Sequence, residues 1–381
     1  MKDVKFKASL DLRDMGYASI LNSLPDGVYI TDTNRRIAFW NREAERITGW
    51  MAGEVEGKCC RDNILCHVDK DGHRLCGREH CPLHRAMVTG ARSDSPRLIF
   101  ARHRNGNRIP VEVTVSPIIE DDGCVVGGIE VFRDLSPGFQ DLNRARLIQQ
   151  SIMGMQIESD ERYQIHVRYT PHDLVGGDFY CVEQINENWC AIMLADVIGH
   201  GIPAALYTMQ LRSLWEAGRE HLAFPDVFLA WLSRQLESLT DTSAGYFATA
   251  VYAIYEPATG KLITGLAGHP PPLVISKDNS ISTLPGSGPG LGLIKNPEFN
   301  LSTTNIEKGD QVLFFSDGAL EVCNAAGEEL DQDGLIAFIR QTQAKEGGSI
   351  NLAGIEEKLL GYSNGLSLPD DLTLIQLQRL I

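Results

Sequence analysis

Short apolar runs, each bounded by turn residues, recur along the whole chain and predict a protein rich in β-strands. In the first third, four such runs have the length of single strands: Gly27 to Asp32, Arg35 to Trp40, Ile109 to Pro117 and Val125 to Arg133. Beyond residue 159 the strand-like runs continue, and two longer stretches, near 202 to 218 and 225 to 240, have the pattern of helices. Together these elements predict an α+β fold.

Residue composition and the pattern of apolar residues divide the chain into three zones, which are residues 14–135, 136–158 and 159–381. The middle zone opens on Ser-Pro-Gly and then carries apolar residues at helical spacing, namely Leu142, Ala145, either Ile148 or Gln149, and Ile152. Such a helix can join two chains as a short parallel coiled coil, which would make the protein a homodimer. Alternatively, it packs onto its own domain.

Composition excludes several classes of function. The chain has 381 residues, of which 43% are hydrophobic and 22% charged, and its net charge of -15 argues against binding to nucleic acid or to an anionic membrane. No run approaches the roughly 18 apolar residues of a membrane span, and the start of the chain lacks the apolar stretch of a signal peptide. We therefore expect a cytoplasmic protein, whose nine cysteines are reduced or bound to metal rather than paired as disulfides.

The first zone contains a strand, a tight turn and a second strand, after which Asn41 can cap a helix that carries Ala44 and Ile47 on one face. This zone resembles a PAS domain in the segments 20–32, 37–49 and 128–134. The resemblance implies an antiparallel sheet with helices and a role in sensing or dimerisation rather than in catalysis.

An insert in the same zone is dense in cysteine and histidine: Cys59, Cys60, Cys66, His67, His73, Cys76, His80, Cys81 and His84. Thiolate and imidazole are ligands that suit Zn²⁺ or an iron centre, and the preferred set is Cys60, His67, Cys76 and Cys81. Haem held by one of the histidines is a further option. The other interpretation is a loop in which the cysteines pack as small hydrophobic residues and the histidines are solvated.

Four aspartates stand in short apolar and glycine-rich contexts in the last zone: Asp178 in Gly-Gly-Asp-Phe-Tyr, Asp196 in Leu-Ala-Asp-Val-Ile-Gly, Asp317 in Phe-Ser-Asp-Gly and Asp370 in Pro-Asp-Asp-Leu-Thr. Carboxylates buried at strand ends are costly unless a cation pairs with them. Carboxylate oxygen is the ligand that Mg²⁺ and Mn²⁺ prefer. Each aspartate could instead cap a helix or a turn.

The order of the strings around these aspartates is more specific than any one of them. Gly176-Gly-Asp-Phe-Tyr, Ala195-Asp-Val-Ile-Gly-His-Gly, Ala267-Gly-His-Pro-Pro-Pro, Phe315-Ser-Asp-Gly-Ala-Leu-Glu and Asp370-Asp-Leu-Thr follow one another along the chain. In this the zone resembles the SpoIIE/RsbU branch of the PPM metal-dependent protein phosphatases. The resemblance implies an α-β-β-α sandwich with two Mn²⁺ or Mg²⁺ ions between its sheets.

The resemblance also implies roles for individual residues. Asp196, helped by the Val197 carbonyl, would bridge both ions, and the remaining ligands would be Asp178, Asp317 and Asp370, with Asp371 as the alternative to Asp370. His200 would give a proton to the leaving oxygen, or would only cap the following helix. Asp196, Asp317 and His200 are thus the catalytic candidates. His269 and Glu321 would lie near the site, and Thr249 and Thr373 would orient neighbouring groups.

Two functions are compatible with this sequence. The first is a signal-regulated phosphatase that removes phosphate from serine or threonine of a partner protein, for which the resemblance implies an anti-sigma-factor antagonist of the STAS type. The second is a metal or redox sensor and binding scaffold whose phosphatase domain is weakly active or inactive. Because all four aspartates are present, the sequence favours the first.

Overall fold

The computed structural model describes residues 15–381, apart from 61, 63, 70–71, 77–80, 93–96, 157–159, 200, 240–246, 325, 344–348 and 364–367. The chain divides into two compact units, Met1–Asp141 and Leu142–Ile381. Within the described ranges, no helix is both long and apolar enough to cross a lipid bilayer.

The first unit is built on an antiparallel sheet. Its strands are β1 (Gly27–Asp32), β2 (Ile37–Trp40), β3 (Arg97–Arg102), β4 (Arg108–Ile119) and β5 (Val125–Asp134). Its helices are α1 (Met15–Asn22), α2 (Arg42–Thr48), α3 (Ala52–Val55) and α4 (Pro82–Thr89). The described strands run in the order β2-β1-β5-β4-β3. Side chains from the sheet, from α2 to α4 and from the connection between α3 and α4 form one apolar core.

The structure confirms the predicted cap on α2. The Asn41 side chain accepts hydrogen bonds from the backbone N–H groups of Ala44 and Val28, both at 2.8 Å. Its amide group donates to two further carbonyl oxygens, so this buried amide is fully used. Ala44 and Ile47 are buried, as predicted.

The second unit contains two sheets. Helix α5 (Ser136–Ile152) spans the boundary between the units and leads into it. The strands are β6 (Gly154–Gln156), β7 (Tyr163–Thr170), β8 (Asp178–Asn186), β9 (Trp189–Val197), β10 (Ala248–Glu256), β11 (Lys261–Ala267), β12 (Leu273–Ile275), β13 (Ile281–Thr283), β14 (Leu301–Asn305), β15 (Gln311–Phe315) and β16 (Leu372–Arg379). The helices are α6 (Ile202–Ala217), α7 (Pro225–Leu239), α8 (Gln332–Gln343) and α9 (Leu352–Tyr362).

These elements form four layers. In the described part of the chain, one sheet has the order β14-β11-β10-β9-β8-β6 and the other β13-β12-β15-β16-β7. Strand β9 shows how the layers arise, because Cys190, Ile192 and Leu194 point between the sheets while the alternate residues pack under α6 and α7. A further core joins the second sheet to α8 and α9. The result is an α-β-β-α sandwich, which confirms the predicted fold class.

The sequence located some elements better than others. The four strands predicted in the first unit are present, and the two predicted helices correspond to α6 and α7. Strand β3 and helices α8 and α9 were not predicted. In α5 it is Gln149 that is buried, whereas Ile148 is exposed, so the structure decides between the two residues. The three-zone division stays a prediction, since the units meet within the predicted middle zone.

Candidate metal centre

Asp178 and Asp196 lie side by side on neighbouring antiparallel strands. Asp178 opens β8, Asp196 stands one residue before the end of β9, and the two are directly paired in the register. Side chains of directly paired residues point to the same face of a sheet. Two carboxylates are therefore held together at one end of the first sheet, where Asp178 is only 1% exposed.

Asp317 and Asp370 approach from the other sheet. Asp317 follows β15 after one residue, and Asp370 stands two residues before β16, which pairs with β15. The backbone N–H of Ser316 donates to the carbonyl of Thr373 at 3.0 Å and so extends this pairing to the edge of the site. Strand pairing thus places both carboxylates at the same end of the second sheet.

A direct hydrogen bond joins the two sheets at this point. The Thr373 hydroxyl donates to Oδ2 of Asp178 at 2.6 Å. The Ser316 hydroxyl instead donates to the carbonyl of Asp371 at 3.2 Å. Oδ1 of Asp178 is buried and makes no hydrogen bond in the structure. The expected orienting role of Thr373 therefore has a partner, which is Asp178.

The four-carboxylate cluster carries an electrostatic cost. Burial, with the charges of Asp317 and Asp370 next in effect, raises the pKa of Asp196 to about 9. Burial also raises the pKa of Asp178 well above its usual range, and the charge of Asp196 adds to this. The pKa of Asp317 is raised by burial and by Asp370. Carboxylates whose charged forms are disfavoured in this way gain most from a bound cation.

Asp370 and Asp371 have different surroundings. Both carboxylate oxygens of Asp371 accept backbone hydrogen bonds, one from His172 and the other from Gly177. The hydrogen bonds of Asp371 thus hold the loop that precedes Asp178. Asp370 is partly exposed, and its charge acts on Asp196 and Asp317. Of the two, Asp370 has the position that suits a metal ligand.

Close backbone contacts explain the glycines around the cluster. A Cβ atom on Gly318 would overlap the carbonyl oxygen of Asp371, and one on Gly176 would overlap the hydroxyl of Tyr169. A Cβ on Gly177 would lie 2.9 Å from the carbonyl oxygen of Val197. These glycines are needed because the chain segments that carry the aspartates approach closely.

Helix α5 contacts the loop before Asp178 through one buried amide. Gln149 donates to the Gly176 carbonyl at 2.7 Å and to the Thr208 hydroxyl at 2.9 Å, and it accepts from the Gly176 N–H at 3.2 Å. Gln149 is 1% exposed although its neighbours on α5 are exposed. Sequence reasoning missed these contacts of Gln149, because it considered this position only as part of an apolar stripe.

The other predicted residues have mixed outcomes. His269 is buried, its Nδ1 is 2.8 Å from the Thr249 hydroxyl, and Thr249 pairs in register with Asp196. Burial lowers the pKa of His269 to about 3, so its ring is neutral. The pKa of Glu321 is raised, first by partial burial and then by the nearby charge of Asp317. His200 lies outside the described residues.

The donor set of this cluster suits Mn²⁺ or Mg²⁺. It offers hard oxygen atoms from two sheets, including the unpartnered Oδ1 of Asp178. Among the described residues, no group of three or more His, Cys, Asp or Glu side chains is already arranged to hold an ion. Ion binding would therefore require these side chains to reorient.

An apolar surface borders the cluster. Ile198, Ile202 and Leu206 are 46%, 55% and 59% exposed, and they follow Asp196 along its loop and the first turns of α6. Large apolar side chains grouped on a surface are typical of a protein-binding site. Sequence reasoning did not identify this surface, because its residues resemble the buried ones around them in type.

Comparisons with known proteins agree with this architecture. The family described as Stage II sporulation protein E (SpoIIE) matches residues 186–380, which include Asp196, Asp317 and Asp370, and the PAS fold matches residues 21–137. Phosphoserine phosphatase RsbU of Bacillus subtilis (strain 168) is 30% identical over 233 residues, 61% of this chain and 68% of RsbU. Phosphoserine phosphatase RsbP of the same organism is 30% identical over 184 residues, 48% of this chain but only 45% of RsbP.

Among solved structures, the SiaA-PP2C domain of Pseudomonas aeruginosa superimposes with a TM-score of 0.55 at 19% identity. The match covers 65% of this chain and 98% of that domain. At this identity the likeness concerns the fold alone.

Proposed function

Because the chain belongs to the SpoIIE family of PP2C-type phosphatases and carries a PAS domain, we propose that it is a signal-regulated, metal-dependent protein serine/threonine phosphatase. The observation that carries this proposal is the cluster of Asp178, Asp196, Asp317 and Asp370 at the adjoining ends of two sheets. Such a cluster is electrostatically unfavourable by itself, and the positive charge of a catalytic metal centre would offset this cost.

Asp196, Asp178, Asp317 and Asp370 would hold the metal, with the Val197 carbonyl as a further donor. Two bound Mn²⁺ or Mg²⁺ ions would supply an acidified water as nucleophile and positive charge for the phosphoryl oxygens. Thr373 orients Asp178 for this purpose, and Asp371 fixes the loop that carries it. Burial and the charges of Asp317 and Asp370 raise the pKa of Asp196 to about 9, so the metal-free cluster would hold a proton that ion binding must release.

The substrate we propose is a phosphorylated protein of the STAS type. The apolar surface of Ile198, Ile202 and Leu206 supports a protein rather than a small phosphomonoester as substrate, because a small molecule would leave it uncovered. The substitution Leu206→Ser should slow hydrolysis of the phosphoprotein but not of para-nitrophenyl phosphate. Val227→Ser, at an exposed apolar position on α7, is the matched control. Equal losses on both substrates would contradict a docking role.

The test of activity is Mn²⁺-dependent hydrolysis of para-nitrophenyl phosphate and of a phosphoserine peptide. Wild type should turn over both, and Asp196→Asn and Asp317→Asn should not. Asp278→Asn, an exposed aspartate in a turn between β12 and β13, should behave as wild type. Absence of both turnover and manganese binding in wild type would refute the proposal and favour a binding scaffold.

Regulation through α5 is part of the proposal. Gln149 ties this helix to the Gly176 peptide, two residues before Asp178, so rotation or unwinding of α5 would disturb the metal-binding loop. The test compares full-length protein with a form that begins near Glu158. If the shortened form keeps both activity and signal response, this mechanism is wrong.

We also propose a homodimer formed through the PAS domain and α5. Leu147 and Ile148 are exposed large apolar residues on this helix, which supports a second chain as its partner. Light scattering of wild type and of Leu147→Glu tests this, and a monomeric wild type would refute it.

A further inference from the structure

A polar cluster lies inside the apolar core of the first unit. The Tyr29 hydroxyl donates to Oε2 of Glu130 at 2.9 Å, and Oε1 of Glu130 lies 3.5 Å from Nε2 of His67. The three side chains are at most 2% exposed. Neither Nε2 of His67 nor Oε1 of Glu130 makes a hydrogen bond. Unpartnered polar atoms at such depth are costly and call for an explanation.

Three thiols lie next to this cluster. Cys60, Cys76 and Cys81 are buried, and the backbone N–H of His67 points at Sγ of Cys76 from 3.1 Å. Cys60 interacts electrostatically with both Cys76 and Cys81, and Cys76 interacts in the same way with Cys81. All three act on the hydroxyl of Tyr29 as well. The thiols, the imidazole and the carboxylate therefore occupy one region of the core.

The fold brings these residues together from separate segments. Cys60 follows α3 and donates its backbone N–H to the Arg35 carbonyl beside β2. His67 and Cys76 stand on the two arms of a hairpin, where the Leu75 N–H donates to the His67 carbonyl. Cys81 is the residue that precedes α4. Glu130 and Tyr29 are directly paired on β5 and β1.

We propose that Cys60, His67, Cys76 and Cys81 bind one zinc ion in the core of the first unit, and that Glu130 orients His67 as a ligand. Three thiolates and one imidazole are a common ligand set of closed, structural zinc sites. A histidine bound to zinc through one ring nitrogen typically donates from the other to a carboxylate. Nε2 of His67 faces Glu130, which leaves Nδ1 for the ion.

Positive charge near the thiols agrees with a metal site. Arg35 acts on Cys81, and Arg108 acts on His67, so positive charge is present nearby to offset the thiolates. Since no such group of described side chains is already arranged to hold an ion, binding would require these four side chains to reorient. The ion would then fasten the α3–α4 connection and the start of α4 onto the sheet.

The test measures zinc in full-length protein purified without chelators. We expect about one equivalent that is retained in Asp196→Asn, and X-ray absorption should show sulfur ligands at about 2.3 Å, which the aspartate cluster cannot supply. Cys76→Ser and His67→Ala should lower the zinc content at least about tenfold. Cys59→Ser, next to Cys60 but less buried, is the matched control and should keep the ion.

Three outcomes would overturn the proposal. They are protein without zinc, zinc with only oxygen and nitrogen ligands, and iron with acid-labile sulfide in place of zinc. X-ray absorption on wild type needs no variant, so a variant that fails to fold leaves the test intact. Because zinc content is measured apart from activity, failure here is distinguishable from failure of the proposed phosphatase.

Discussion

Replacing Thr373 by valine tests whether the hydrogen bond between the two sheets prepares Asp178 for metal. Valine keeps the shape of threonine but loses the hydroxyl that donates to Oδ2 of Asp178 at 2.6 Å. Hydrogen bonds to a charged group contribute about 1.5–3 kcal/mol. Because metal must displace protons from a carboxylate whose pKa is already raised, losing the donor should weaken metal binding by about 10- to 100-fold.

The assay is the Mn²⁺ concentration that gives half-maximal hydrolysis of para-nitrophenyl phosphate. For Thr373→Val this concentration should rise, while turnover at saturating Mn²⁺ recovers, and the deficit should shrink at higher pH because fewer protons compete. Thr373→Ser keeps the hydroxyl and should stay near wild type. Thr249→Val removes a hydroxyl that contacts His269 instead, which controls for general damage. An unchanged Mn²⁺ requirement in Thr373→Val would refute the reasoning.

Three further predictions concern the same region. Asp371→Ala should lower the free energy of unfolding by about 2–4 kcal/mol, because the buried N–H of Gly177 and the partly buried N–H of His172 lose their acceptor, whereas Asp370→Ala should weaken metal binding with little change in urea denaturation. Gln149→Leu should speed hydrogen exchange at the Gly176 amide, and Gln150→Leu, on the exposed face, should not. The raised pKa of Asp196, about 9, means that the folded protein keeps a proton that the unfolded chain releases, so metal-free protein should lose stability as pH rises from about 4 to 9. Asp196→Asn should then raise the metal-free melting temperature at pH 8 but not at pH 4, by about 2–4 °C for each kcal/mol relieved, and no rise would contradict the electrostatic account.

Local patterns were enough to identify much of the fold. Strand-length apolar runs predicted β1, β2, β4 and β5, because each alternates or is bounded by turn residues within a few positions. The capping role of Asn41 is likewise a local property. Helices α8 and α9 escaped notice, since their amphipathic faces gain meaning only against the second sheet, which forms from strands far apart in sequence.

The sequence by itself determined which residue types are available for chemistry and in what order, so the four aspartates and the family resemblance could be found without coordinates. Only the tertiary structure decided which atoms meet. It separated Asp370 from Asp371 by what each carboxylate accepts, and it gave Thr373 and Gln149 their partners across 195 and 27 positions of the chain. It also placed Glu130 against His67, 63 positions away. Contacts of this kind depend on strand register and on layers that pack across the whole unit, and no window of sequence contains that information.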